Sequence, residues 1–83
     1  MNLNVELYAS LTALLPPGNH RFRRQMSFAD DTTVQQVIDH FGISAQDAHL
    51  VLANGKFVCG EDRRTHRLSE NDTVSVWPPV AGG

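Results

Sequence analysis

A chain of 83 residues with 41% hydrophobic and 19% charged side chains can build one modest core but not two, and no apolar run approaches the ~20 residues of a membrane span. Its formal charge of −2 withholds the general attraction to phosphate backbones that clustered Lys and Arg would supply. A single cysteine, Cys59, excludes an internal disulfide and fits a reducing compartment. Residues Met1 to Tyr8 lack the basic start and apolar run of a secretion signal, so a cytoplasmic location is expected, with no membrane and no nucleic-acid partner.

In chain order, Leu3, Val5 and Leu7 alternate with Asn4, Glu6 and Tyr8, which predicts a strand with one face on a core. Leu11, Leu14 and Leu15 fall at helical spacing, and Pro16-Pro17-Gly18-Asn19 then stops and turns the chain. From His20 to Phe28 a second strand is expected: Phe22, Met26 and Phe28 share one parity, and Arg24 interrupts that apolar face. A helix should follow. Thr32 with Gln35, or Thr33 with Gln36, matches a capping box, Val34, Val37, Ile38 and Phe41 form an apolar stripe, and Gly42 stands where a left-handed cap is wanted. After a loop through Ile43 to Ala48, Leu50-Val51-Leu52 and Lys56-Phe57-Val58 flank Asn54-Gly55, the strongest short hairpin signal. Cys59 to Arg67 is polar and charged, Asn71-Asp72 makes a turn, and Thr73 to Trp77 is the last strand. Pro78-Pro79 ends the sheet, because proline cannot donate to a ladder.

This order predicts an α+β domain over residues 1–77, a mixed sheet of four to five strands with one main helix on one face, followed by an extended tail over 78–83. The last strand is able to return beside the first. By alternation Tyr8 and Trp77 point away from the core, and pairing across Asn54-Gly55 puts Leu52 with Phe57 on one face and Val51 with Val58 on the other. With the β-branched pair assigned to the core, Tyr8, Leu52, Phe57 and Trp77 form a candidate exposed patch for a partner. Any one of these rings could equally complete a small cluster of its own.

The ending Val74-Ser75-Val76-Trp77-Pro78-Pro79-Val80-Ala81-Gly82-Gly83 resembles that of the MoaD and ThiS sulfur carriers, most closely the small subunit of molybdopterin synthase. The element order agrees along nearly the whole chain. Glu6-Leu7-Tyr8-Ala9, Leu14-Leu15-Pro16-Pro17 and Leu52-Ala53-Asn54-Gly55 also resemble ubiquitin-like domains that precede PIN-type RNase domains, which do not finish in Gly-Gly. The resemblance implies a ubiquitin-like β-grasp fold and a carrier that is not itself an enzyme, with the Gly83 carboxylate as the working group. A ubiquitin-activating-type partner (MoeB/ThiF-like) would adenylate it with ATP and Mg, a cysteine desulfurase or rhodanese would supply sulfur, and a MoaE-like large subunit would accept it. The carrier itself would bind no cofactor and no metal. Gly82 and Gly83 lack a Cβ to obstruct a partner's channel, and Pro78, Pro79, Val80 and Ala81 would span, with the glycines, about 18 Å in polyproline geometry. Delivery of sulfur to thiamin or tRNA, conjugation of Gly83 to lysines and a non-carrier adaptor are the alternatives.

Other residues carry weaker signals. Nothing in Val58-Cys59-Gly60-Glu61 supplies a cationic setting that would activate the thiol. His20, His40, His49 and His66 lack metal-ligand spacing. Arg21, Arg23 and Arg24, and separately Arg63, Arg64 and Arg67, read as solvated faces, with acidic partner surfaces or RNA as the alternative. Asn71-Asp72 stands where the carriers usually have Gly-Asp, and the stretch from Cys59 to Arg67 is longer and more charged than theirs.

Overall fold

The computed structural model describes residues 1–79; the tail residues Val80, Ala81, Gly82 and Gly83, to which the sequence assigns the carrier chemistry, lie outside the described residues. Strands β1 (Asn2–Leu7), β2 (Arg23–Ser27), β3 (Leu50–Ala53), β4 (Lys56–Phe57) and β5 (Thr73–Trp77) form a mixed sheet in the order β2-β1-β5-β3-β4, and helix α1 (Val34–His40) follows β2. β1 and β5 run parallel, Val5 beside Val74 and Leu7 beside Val76, while the other neighbours are antiparallel.

Alternation decides what each strand buries. Leu3, Val5 and Leu7 of β1, Val51 and Ala53 of β3, and Val74 and Val76 of β5 face one side of the sheet and meet Val34, Val37 and Ile38 of α1. Each such aliphatic side chain, removed from water, contributes roughly 1.5–3 kcal/mol. Val58 joins this core and Leu52 and Phe57 do not, as expected from the hairpin.

Helix α1 is written into its two ends. The capping box is the Thr33–Gln36 one: Gln36 N donates to the Thr33 hydroxyl at 3.2 Å, and Thr33 N donates to Gln36 Oε1 at 2.8 Å. At the other end Gly42, at φ +68, lets Ile43 N donate to Ile38 O and Gly42 N to Asp39 O, which closes a Schellman motif.

Two expectations need correction. The second strand begins at Arg23 rather than His20, because Arg24, on the core-side parity, carries its guanidinium back to the carbonyls of Pro16, His20 and Arg23 and ties the preceding residues into a loop. Phe22 consequently leaves the core face. The short helical turn expected after β1 is present as a 3-10 helix, Ala9–Leu14, entered through Ala9 at φ +52. Arg63 is not on a solvated face: it is 8% exposed, since its loop packs on the start of α1 through Gln35 N to Arg63 O (2.8 Å) and Val34 N to His66 O (3.0 Å). Among the described residues no helix is long and apolar enough to cross a membrane.

Candidate functional site on the outer face of the sheet

With α1 covering one face, no other element among the described residues covers the second, and the strand registers lay its side chains out in rows. One row runs Arg23, Glu6, Ser75, Leu52 and Phe57 from β2 across to β4. The next, at the end where β5 leaves the sheet, holds Tyr8, Trp77 and Leu50, with Leu50 opposite Trp77. The structure brings Tyr8 and Trp77 together: their rings stack with centroids 4.1 Å apart and planes 1° from parallel. Phe22 stacks on the other side of Tyr8 at 4.8 Å, and His20 meets Phe22 edge-on. Leu52 is half-buried next to Phe57, which is 62% exposed, so two of the four predicted patch residues are joined by stacking and the other two by strand pairing.

Between the aromatic row and the polar edge sits Glu6, whose Oε1 accepts the Tyr8 hydroxyl at 3.0 Å and the Ser75 hydroxyl at 2.8 Å. Arg23 approaches its other oxygen at 3.8 Å. Partial burial, then the hydrogen bond and the negative charge of Glu6, hold the Tyr8 phenol protonated and push its pKa up to about 12. A recess of about 310 Å³ lined by Tyr8, Ala9, Thr12, Arg21 and Phe22 adjoins this cluster. Such a face, apolar with a fixed hydrogen-bonding centre, has the composition of a protein-docking surface.

The sequence reading missed Glu6, Ser75, Phe22 and Leu50. The same alternation that turned Tyr8 and Trp77 outward also turns Glu6, Ser75 and Leu50 outward, so the signal was present for those three. Trp77 is the last residue of β5, Pro78 is half-buried and Pro79 exposed, so the described chain ends beside the aromatic row. Among the described residues no group of three or more His, Cys, Asp or Glu side chains could hold a metal, and Cys59 is half-buried and free.

A mixed five-stranded sheet with one helix across it and a C-terminal strand leading out beside an aromatic outer face define a ubiquitin-like β-grasp domain. The chain belongs to the ThiS family, whose model matches residues 5–83. Among solved structures it is similar to the HVO 2177 protein of Haloferax volcanii, at 27% identity and TM-score 0.76 over 100% of this chain and 87% of that one. SAMP1 from Haloferax volcanii has the same fold, at 17% identity and TM-score 0.69 over the whole of both chains. So does a candidate molybdopterin converting factor, subunit 1, from Pyrococcus furiosus, at 16% identity and TM-score 0.66 over 95% and 98%. No curated protein matches the chain.

Proposed function

We propose that this protein carries sulfur on the carboxylate of Gly83. The observation that carries the reading is the family match, which runs through to the terminal Gly82-Gly83 pair. A carboxylate is a poor acyl donor. Attack of one of its oxygens on the α-phosphorus of ATP, on a ubiquitin-activating-type enzyme of the MoeB/ThiF kind, expels pyrophosphate and leaves an acyl adenylate. The outer sulfur of a persulfide on a cysteine desulfurase or rhodanese then attacks the acyl carbon and AMP departs with the bonding electrons; a second thiol attacks the inner sulfur of the resulting acyl disulfide, is oxidised with it to an ordinary disulfide, and releases the thiocarboxylate. ATP and Mg belong to the activating partner.

The outer face is the docking surface in this reading. Stacked Tyr8 and Trp77, with Leu52 and Phe57, would seat the activating enzyme while Pro78 and Pro79 direct Val80 to Gly83 into its channel. The acceptor we favour is the MoaE-like large subunit of a molybdopterin-type synthase, on the strength of the Pro78-Pro79-Val80 spacer. Thiamin synthesis or tRNA thiolation would use the same carrier chemistry with another acceptor, and a lysine amine attacking the same adenylate would make the protein a modifier.

ATP–pyrophosphate exchange tests the first step. With an activating enzyme of this class, exchange should depend on the protein and vanish when Gly83 is deleted, with thermal stability unchanged. Exchange that persists without Gly83 would refute the assignment.

A further inference from the structure

The proposed function gives no part to Arg21, Arg23 and Arg24, which lie along the longer free edge of the sheet among the described residues. β2 forms one border with five residues, against two for β4 at the other. Leu7 N donates to Phe22 O at 3.0 Å and Phe28 N to Met1 O at 2.8 Å; with Val5 opposite Arg24 and Leu3 opposite Met26, the even-numbered residues of β2 turn their backbone groups to β1. Arg23, Gln25 and Ser27 therefore turn theirs outward. Of those six N–H and C=O groups, only Arg23 O has a partner among the described residues, the Arg24 guanidinium at 2.6 Å.

A strand laid along this edge would send alternate side chains to the two faces. On the outer face it would meet exposed Arg23, whose contact with Glu6 is a loose 3.8 Å, and Arg21 beyond the strand end, also exposed. On the inner face it would meet Met26 and Phe28, which lie half-buried at the margin of the core with His40 edge-on to Phe28 and Phe41 beyond. We propose that the β2 edge captures, as a sixth strand, an extended segment of a partner protein in which acidic residues alternate with apolar ones.

Charge decides the occupant. In a second copy paired antiparallel about Gln25, Arg23 would face Ser27 and find no counter-charge, whereas an acidic strand meets complementary charge at Arg21 and Arg23 and five backbone groups that have no partner among the described residues. A nucleic acid offers no amide ladder to satisfy those groups, and the chain as a whole is negative.

The probe is a blocked hexapeptide of alternating glutamate and valine, titrated into the isotope-labelled full chain. The amide signals of Arg23, Gln25 and Ser27 should shift and their hydrogen exchange slow, and the matching lysine–valine peptide should bind at least about tenfold more weakly. Gln25→Pro removes an outward N–H without touching the ladder to β1 and should abolish binding. The paired Arg21→Glu and Arg23→Glu changes leave every backbone group in place and should reverse the preference toward the lysine peptide; this variant decides the matter if Gln25→Pro does not fold. Absence of binding, equal binding of the two peptides, shifts centred on Tyr8 and Trp77 instead of β2, or tighter binding of an oligouridylate would each overturn the proposal.

Discussion

The chain has one tyrosine and one tryptophan, and they are stacked on each other, so the centre of the outer face carries its own optical probe. Tyr8 titrates at about 12 in the folded protein, against about 10 for an unperturbed phenol, owing first to partial burial and then to Glu6. A folded-state value above the unfolded one means that the folded state resists losing the proton. The contribution is complete below pH 10, declines from pH 10 and is gone by pH 12. Two units would correspond to nearly 3 kcal/mol in a dry site, but water reaches this half-buried ring, so about 1 kcal/mol is the expected loss. Absorbance at the phenolate band should give a folded midpoint near 12 and a midpoint near 10 in denaturant, and tryptophan emission should report the same folded transition through the stacked ring. Tyr8→Phe should flatten the difference in stability between pH 10 and 12, while Glu6→Gln should lower the Tyr8 midpoint only partway, because the larger cause remains. A folded midpoint near 10, or a Tyr8→Phe protein with an unaltered pH slope, would refute the picture of a partly buried Tyr8–Glu6 hydrogen bond.

Thr33→Ala, which removes one half of the capping box, should cost about 1 kcal/mol and lower the melting temperature by about 4–8 °C in a domain of this size. Ile38→Ala, in a side chain 1% exposed between α1 and the sheet, should cost about 2–5 kcal/mol by denaturant titration. Phe57→Ser, at a ring 62% exposed, should change stability by less than about 1 kcal/mol yet raise the KM of an activating enzyme for the protein about tenfold or more. Equal effects on both readouts would remove Phe57 from the docking surface.

How much was legible in the sequence follows from how local each determinant is. Both ends of α1 are specified within a few residues, by Thr33 with Gln36 and by Gly42, and Asn54 at φ +52 with Gly55 at φ +80 is a self-contained turn. Asn71, at φ +68, takes the left-handed geometry that a glycine would otherwise supply. Period-two alternation was enough to send Tyr8 and Trp77 outward, but their contact follows from the parallel pairing of β1 with β5, and Glu6 meets Ser75 across 69 residues of chain. The start of β2 was illegible for a related reason: Arg24 looks like a break in an apolar face until its reach to the Pro16 and His20 carbonyls is known. Arg63 is the same case in the charged loop, where no periodicity announces that the backbone docks on α1 and takes the side chain with it.

In the proposed function the fold holds an aromatic face beside the point where the described chain leaves the sheet, and the reacting acyl group is that of Gly83 beyond it. Intact-mass and fragment-mass spectrometry after incubation with ATP, an activating enzyme and a sulfur donor tests that assignment most directly. The account predicts a product in which sulfur has replaced one oxygen, localised to the C-terminal fragment that ends in Gly83. Sulfur found instead on Cys59, or a chain of unchanged mass, would contradict it.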